Sequence, residues 1–146
     1  MKHHTLEALR GTADVHTNIQ HFPTTRDERL LRWAELLEKQ PDRRLRTLSE
    51  TEYQPASIRD RMRCADSPIA VAYEDAVFRA EGLKDDTYGE AKRFFELSDW
   101  QLHRFICSCH SGATVRSGKA AQCLRDAARS GPGFFAMLWD ALLIFR

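Results

Sequence analysis

Residues 98–112 read Ser-Asp-Trp-Gln-Leu-His-Arg-Phe-Ile-Cys-Ser-Cys-His-Ser-Gly, and they combine a helix start, an apolar face and a helix stop. Ser98 and Gln101 form a Ser-x-x-Gln capping box. Gly112 suits a helix end because glycine adopts the left-handed conformation without strain. The pattern therefore predicts one helix of about three turns. Its apolar side is expected to carry Leu102, Phe105, Ile106 and Cys109.

The neighbouring side of this predicted helix carries soft metal ligands. His103, Cys107 and His110 stand at i, i+4 and i+7, a spacing that brings three donors together on a helix. Zinc binds such donors, and Cys64 or Cys123 would supply a fourth ligand. The alternative is that the cysteines act as small buried apolar residues and the histidines are structural. This alternative is favoured because the chain lacks the Cys-x-x-Cys pairs of zinc frameworks, so no cofactor is expected and zinc stays the second possibility.

The segment 90–106, Glu-Ala-Lys-Arg-Phe-Phe-Glu-Leu-Ser-Asp-Trp-Gln-Leu-His-Arg-Phe-Ile, resembles a helix-turn-helix motif. Ala91 stands where that motif takes a small residue. Two positions differ from it, since Glu96 occupies the turn position that usually takes Gly and Asp99 brings negative charge to the end that would face phosphates. The resemblance implies sequence-specific DNA binding, and an αα-hairpin in a helical core is the alternative. The DNA-contacting residues that it implies are Gln101, Arg104 and Ser108.

Helix signals recur on both sides of this region. No long period-two alternation and no Asn-Gly or Asp-Gly hairpin signal occurs in the chain. The expected fold is therefore all-α, a compact array of six or seven short helices in an orthogonal or bundle-like arrangement. The other predicted helices are 25–40, 55–66, 67–82, 87–97 and 117–131, with a short helical turn from Pro41 through Leu45 and Leu48.

The composition is that of a soluble globular protein, with 42% hydrophobic and 29% charged residues. Lysine and arginine total 22 against 21 acidic residues, so the net charge demands no charged partner. Charge is nevertheless uneven, because residues 66–99 hold nine acidic and four basic side chains, whereas residues 100–146 hold two and six. Four cysteines and a polar start to the chain favour a reducing, cytoplasmic location.

Three domain-level segments are expected. Residues 1–24 form a weakly ordered N-terminal segment, residues 25–131 form the helical domain, and residues 132–146 form an apolar C-terminal helix. The apolar run 134–145 contains Asp140 and is too short to span a membrane, which needs about 20 residues. A helix without a polar side must be covered, so we expect it to dock on the domain, on a partner protein or in a homodimer. Its interface residues are Phe134, Phe135, Leu138, Trp139, Leu142 and Phe145.

Local catalytic signatures such as Gly-x-Ser-x-Gly and His-Glu-x-x-His do not occur in the sequence. The segment 112–119 differs from a phosphate-binding loop, because five residues instead of four separate its glycines and Ala120 replaces the Ser or Thr. The expected function is therefore that of a small cytoplasmic helical protein that acts by protein contacts without catalysis. DNA binding by residues 90–106 is the first alternative. A thiol or zinc site on the 98–112 helix is the second, with Cys107 or Cys109 beside a histidine.

A second candidate surface is a basic cluster that contains Arg43, Arg44 and Arg46. Clusters of this kind bind nucleic acid when aromatic residues are interleaved with them as stacking platforms. No such aromatic residues accompany these arginines in the sequence. The favoured interpretation is therefore a solvated face.

Overall fold

A computed structural model describes residues 24–49 and 51–131, except for the side chains of Glu52, Cys109 and His110. The predicted N-terminal segment, apart from Thr24, and the predicted apolar helix 132–146 lie outside the described residues. The expected α-helical fold is confirmed, with one small two-stranded sheet added to it. Within the described part of the chain, no helix combines the length and apolar character needed to cross a membrane. The elements are α1 (Arg26–Glu38), β1 (Arg44–Arg46), a 3-10 turn (Thr51–Tyr53), α2 (Ala56–Arg59), α3 (Pro68–Glu74), α4 (Ala76–Glu81), α5 (Tyr88–Phe94), α6 (Asp99–Ile106), α7 (Ser108–Ser111), β2 (Thr114–Arg116) and α8 (Ser117–Ser130).

Trp33 on α1 occupies the centre of the core and is fully buried. Its ring stacks on Phe95 with 4.3 Å between centroids and meets the edge of Phe105 at 5.4 Å. Its indole N–H donates to the carbonyl of Pro68 at 2.9 Å, so the polar atom of this large side chain is satisfied. One side chain therefore joins α1 to α3, to the turn after α5 and to α6.

Helices α1 and α8 form the most extensive helix pair of the fold, and they run antiparallel. Ser117, the first residue of α8, donates its hydroxyl to the carbonyl of Leu37 near the end of α1 at 2.8 Å. At the opposite end, Arg26 donates to the carbonyl of Ala127 at 3.2 Å. The predicted helix 117–131 is confirmed as α8, although the Ser117 hydroxyl bonds to α1 and does not cap the helix, as a serine at a helix start often does.

The predicted helix 67–82 is correct at its ends and wrong in its interior. Ser67 caps the start and Gly82 ends it with φ at 110°, as the sequence predicts. Between them Asp75 is extended, with ψ at 120°, and separates α3 from α4. Arg32 on α1 holds both carboxylate oxygens of Asp75, at 2.7 and 3.1 Å. Asp75 is also the residue before α4, a position at which Asp is favoured, and its ion pair with Arg32 holds it between the two helices.

Two predictions near the sheet are also wrong, and they share one cause. The segment after Pro41 is strand β1 instead of a helical turn, and residues 98–112 form two helices because Cys107 is extended, with φ at −86° and ψ at 136°. The Leu48 N–H donates to the Ile106 carbonyl at 2.7 Å, and the Ser108 N–H donates to the Leu48 carbonyl at 2.9 Å. This backbone pairing replaces the helical hydrogen bond that Ser108 would otherwise make.

Gly89 near the start of α5 provides a test of this packing. Its N–H donates to the Asp60 carbonyl at 3.0 Å. A Cβ at this position would lie 2.8 Å from the Asp60 Cβ and 2.9 Å from its carbonyl oxygen. Gly89→Ala is therefore expected to lower the free energy of unfolding by about 1–3 kcal/mol, the range for overpacked sites, as measured by urea titration followed by circular dichroism.

The control is Gly118→Ala on α8, where the nearest atoms to the new Cβ lie at 3.3 Å. This substitution should lower the free energy of unfolding by less than Gly89→Ala does, because a small shift relieves the contact and alanine favours the helix. A Gly89→Ala variant as stable as the wild type would contradict the described approach of α5 to Asp60.

Candidate functional site

Helix α6 begins as the sequence predicts. The Ser98 hydroxyl accepts from the Gln101 N–H at 3.1 Å, and the Gln101 side chain accepts from the Ser98 N–H at 3.0 Å. This reciprocal capping box is confirmed. Of the apolar side expected of this helix, Leu102, Phe105 and Ile106 are buried, whereas Cys109 lies beyond the end of α6 and its side chain is outside the described residues. The buried residues of α6 are Leu102, His103, Phe105 and Ile106.

The candidate zinc ligands do not lie on one helix. His103 is buried in α6 beside the ring of Tyr88, at 5.7 Å between centroids, and Cys107 is buried at the break between α6 and α7. The side chain of His110 lies outside the described residues. Because the i, i+4, i+7 spacing places donors together only on a continuous helix, that premise of the zinc hypothesis is wrong. Among the described side chains, no group of three His, Cys, Asp or Glu is placed to hold a metal ion.

The two cysteines proposed as a fourth ligand are buried as well. Burial, together with the negative charge of Asp86, raises the pKa of the Cys64 thiol to about 12. Burial also raises the pKa of Cys123. Metal ligation and nucleophilic attack both require the thiolate. Burial therefore disfavours the thiolate form at both positions.

A charged cluster surrounds Asp99, at the start of α6. One carboxylate oxygen accepts from the Tyr88 hydroxyl at 3.1 Å and from Lys92 at 3.0 Å, and the other pairs with Arg59 at 3.2 Å. Partial burial alone would raise the pKa of Asp99, but the hydrogen bonds from Lys92 and Tyr88 and the nearby positive charges hold it below its usual value. Burial and the Asp99 charge raise the pKa of Tyr88. Both groups are thus engaged in joining α2, α5 and α6.

The segment that resembles a helix-turn-helix does form two helices with a tight turn, α5 and α6. Glu96 in this turn adopts φ at 49°, the left-handed conformation for which the motif normally uses glycine. Of the DNA-contacting residues that the resemblance implies, Arg104 is exposed, whereas Gln101 is half-buried and engaged in the capping box. Ser108 lies in α7, beyond the break. The three residues therefore do not share one helix face as expected.

The two-stranded sheet creates a surface that the sequence pattern did not reveal in full. Arg44 lies directly opposite Arg116 and Arg46 lies opposite Thr114, whereas Leu45 and Val115 form the buried pair between them. Directly opposed residues point to the same side of a sheet. Three exposed arginines thus share one side of the sheet, which we call the arginine face and define as Arg44, Arg46, Arg116 and Thr114.

The alternating patterns Arg-Leu-Arg and Thr-Val-Arg are the sequence signal for this face, but each covers only three residues. The sequence therefore did not predict that Arg116 lies beside the arginines of residues 43–46. The start of α8, directly after Arg116, offers little to an anion, because the N–H groups of Ser117 and Gly118 already donate to the carbonyls of Arg43 and Pro41 at 2.8 and 2.9 Å. An anion bound at this sheet would therefore be held by side chains and not by these backbone N–H groups.

An apolar cavity of about 270 Å³ lies beside α4. Ala76 and Ala80 are exposed there, Val77 is half-buried, and Glu81 stands at the side nearest α1. Glu81 accepts a hydrogen bond from the Thr24 hydroxyl and pairs with Arg29 at 3.3 Å. The C-terminal part of α8 reaches this same end of α1. The cavity therefore lies near residue 24 and residue 131, the first and last residues that the structure describes.

These features define the class of the protein as a compact, mostly α-helical fold with a small sheet, a charged cluster, an arginine face and an apolar cavity. No protein-family model, curated protein or solved structure matches the chain. Its function is therefore inferred from its own surfaces.

The Asp99 cluster predicts a specific pH dependence. A carboxylate whose pKa is lower in the folded than in the unfolded state stabilises the fold at pH values above its unfolded-state pKa of about 4. This stabilisation is lost as the pH falls from there through the folded-state pKa. Asp99→Asn should therefore lower stability at neutral pH by up to about 1 kcal/mol, since the group is half-exposed, and should weaken the loss of stability on acidification.

The measurement is urea unfolding at a series of pH values from neutral to acidic. The matched control is Asp42→Asn, because Asp42 is exposed and forms no ion pair among the described residues. An Asp99→Asn variant with the wild-type pH profile would show that the cluster does not stabilise the fold.

Proposed function

We propose that this protein acts without catalysis, by binding a second copy of itself or another protein through its apolar C-terminal segment. The segment 134–145 is the part of the chain that supplies the apolar contact surface. The proposal includes the cytoplasmic location expected from the cysteine content. The residues assigned to the interface are Phe134, Phe135, Leu138, Trp139, Leu142 and Phe145.

The observation that carries this proposal is the apolar cavity beside α4. Its volume of about 270 Å³ suits one or two large apolar side chains. Side chains that fill such a pocket commonly provide much of the binding energy of a protein interface, and Trp and other large apolar residues do so most often. The cavity thus offers a receptor for the kind of side chain in which the C-terminal segment is rich.

The position of the cavity also supports the proposal. The described chain ends at Gly131, and the Ala127 carbonyl four residues earlier accepts a hydrogen bond from Arg26 at the start of α1. Thr24, two residues before Arg26, contacts Glu81 at the cavity. The described end of α8 therefore lies at the same end of α1 as the cavity.

A non-catalytic role is supported by the state of the polar groups. An enzymatic nucleophile needs a lowered pKa or an adjacent base. The thiols of Cys64 and Cys123 have raised pKa values instead. Asp99, the carboxylate in the charged cluster, is engaged by Tyr88, Lys92 and Arg59, and these partners hold its pKa low, which is unfavourable for a general base.

The double variant Trp139→Glu, Leu142→Glu tests the proposal in the full chain. Two charges on a buried apolar surface are costly, so the variant should lose self-association or partner binding. Light scattering after size exclusion, over a range of protein concentrations, measures the self-association. Val77→Glu, at the cavity, should have the same effect, and Lys84→Glu on the exposed loop after α4 should have none.

A wild-type chain that is monomeric at all concentrations and a double variant of equal stability and solubility would together show that the segment is dispensable. In that case the C-terminal segment is no interface. Loss of self-association in the double variant alone, with Val77→Glu unaffected, would retain the interface and reject the cavity as its receptor.

A further inference from the structure

We propose that the arginine face binds the phosphate backbone of double-stranded nucleic acid without reading its base sequence. This activity goes beyond the protein contacts proposed above and uses a different surface. The face is presented by strands β1 and β2, whereas the apolar cavity lies beside α4. It also differs from the helix-turn-helix hypothesis, which assigns DNA contacts to α6.

A like-charge pair stands at one end of the sheet. Arg44 and Arg116 lie directly opposite each other, and directly opposed like charges destabilise a sheet. Each strand has only three residues, so few other cross-strand contacts offset this repulsion. The Arg44 guanidinium donates to the Thr114 hydroxyl at 3.2 Å, a neutral partner that leaves its charge uncompensated. A phosphate group placed between the two arginines would convert the repulsion into attraction.

The arginines elsewhere in the described chain differ from those of this face. Among the described side chains, none of the ion pairs includes a residue of the arginine face. All three arginines of the face thus lack a carboxylate partner among the described side chains, whereas eight arginines elsewhere have one. The arginines that do pair with a carboxylate are Arg26, Arg29, Arg32, Arg59, Arg63, Arg93, Arg125 and Arg129.

Further exposed cations extend the arginine face on both sides. Arg43 precedes β1, and Lys119 lies in the first turn of α8, three residues after Arg116. Arg104 on α6 and Lys119 both lie near enough to the Cys123 thiol to exert a positive charge on it. The net charge of +1 for the whole chain therefore coexists with a cluster of exposed cations at this sheet, and such clusters attract polyanions and speed their association.

The spacing and side-chain chemistry of the arginine face suit a regularly repeating phosphate backbone. Residues two apart on a strand, such as Arg44 and Arg46, are about 6.8 Å apart. This is about twice the 3.4 Å axial spacing of phosphates along one strand of a duplex. Arginine binds phosphate with a planar fork of donors, which gives each contact a defined direction. Thr114 fills the fourth position of the face, so the aromatic platform on which single-stranded bases stack is not present in this set of four residues.

Fluorescence anisotropy of a labelled duplex of about 20 base pairs tests the proposal with the full chain, at NaCl concentrations from about 50 to about 200 mM. Three phosphate contacts predict a slope of about −2.7 for the logarithm of the association constant against that of the salt concentration, or about 40-fold weaker binding over this range. A second duplex of unrelated sequence should bind equally well.

Two paired variants identify the surface. Arg44→Gln, Arg116→Gln removes both charges at similar side-chain size and should reduce the steepness of the salt slope by about 1.8. It should also be at least as stable as the wild type to urea, because the like-charge pair is gone. The matched control is Arg79→Gln, Lys84→Gln, which removes two exposed charges on and after α4, and it should retain the wild-type slope.

Several results would overturn the proposal. Wild-type protein that does not bind the duplex at about 50 mM salt would do so, since that condition favours counterion release. If the paired variant and its control lost the same amount of duplex affinity, the effect would be one of total charge and not of this surface. If Arg104→Glu alone abolished duplex binding and the paired variant still bound fully, the binding site would lie on α6. Binding to polyglutamate without binding to the duplex would assign the face to an acidic protein.

Discussion

The backbone hydrogen bonds of residues 41–48 are the constraint on which the rest of the structure depends. The Arg46 N–H donates to the Asp66 carbonyl at 2.8 Å, and Leu48 both donates to and accepts from the backbone around Cys107. The Arg43 carbonyl accepts from the first N–H of α8 at 2.8 Å. This one segment therefore divides the predicted 98–112 helix, forms the sheet and helps to cap α8.

The same constraint links the fold to both proposed surfaces. A two-stranded sheet with three residues in each strand is marginal by itself. Here Leu45 and Val115 anchor it in the core, and the alternation along each strand then directs the arginines outward. The apolar cavity, by contrast, depends on the break at Asp75 that sets α4 apart from α3. Each candidate surface thus arises at a place where a long-range contact interrupts a helix pattern.

The elements that the sequence predicted correctly are those whose signals are local. The capping boxes at Thr25 and Ser98 need only residues three positions apart, and both are formed. The break at Cys107 depends on Leu48, about 60 positions earlier in the chain, and no local pattern encodes it. The break at Asp75 combines a local signal, an Asp before a helix, with a long-range partner, Arg32 on α1. The positive charge of residues 43–46 is visible in the sequence. The position of Arg116 opposite Arg44 follows only from the register of the sheet.

Nuclear magnetic resonance of the full chain tests the central claim most directly, because it distinguishes the divided helix from a continuous one. The account predicts an extended-type Cα chemical shift at Cys107 and slow hydrogen exchange for the Leu48 and Ser108 amides, whose hydrogen bonds join the two segments. A helical shift at Cys107 with rapid exchange at Leu48 would contradict it. Residues 98–112 would then form one helix, and the arginine face would lose the register on which it depends.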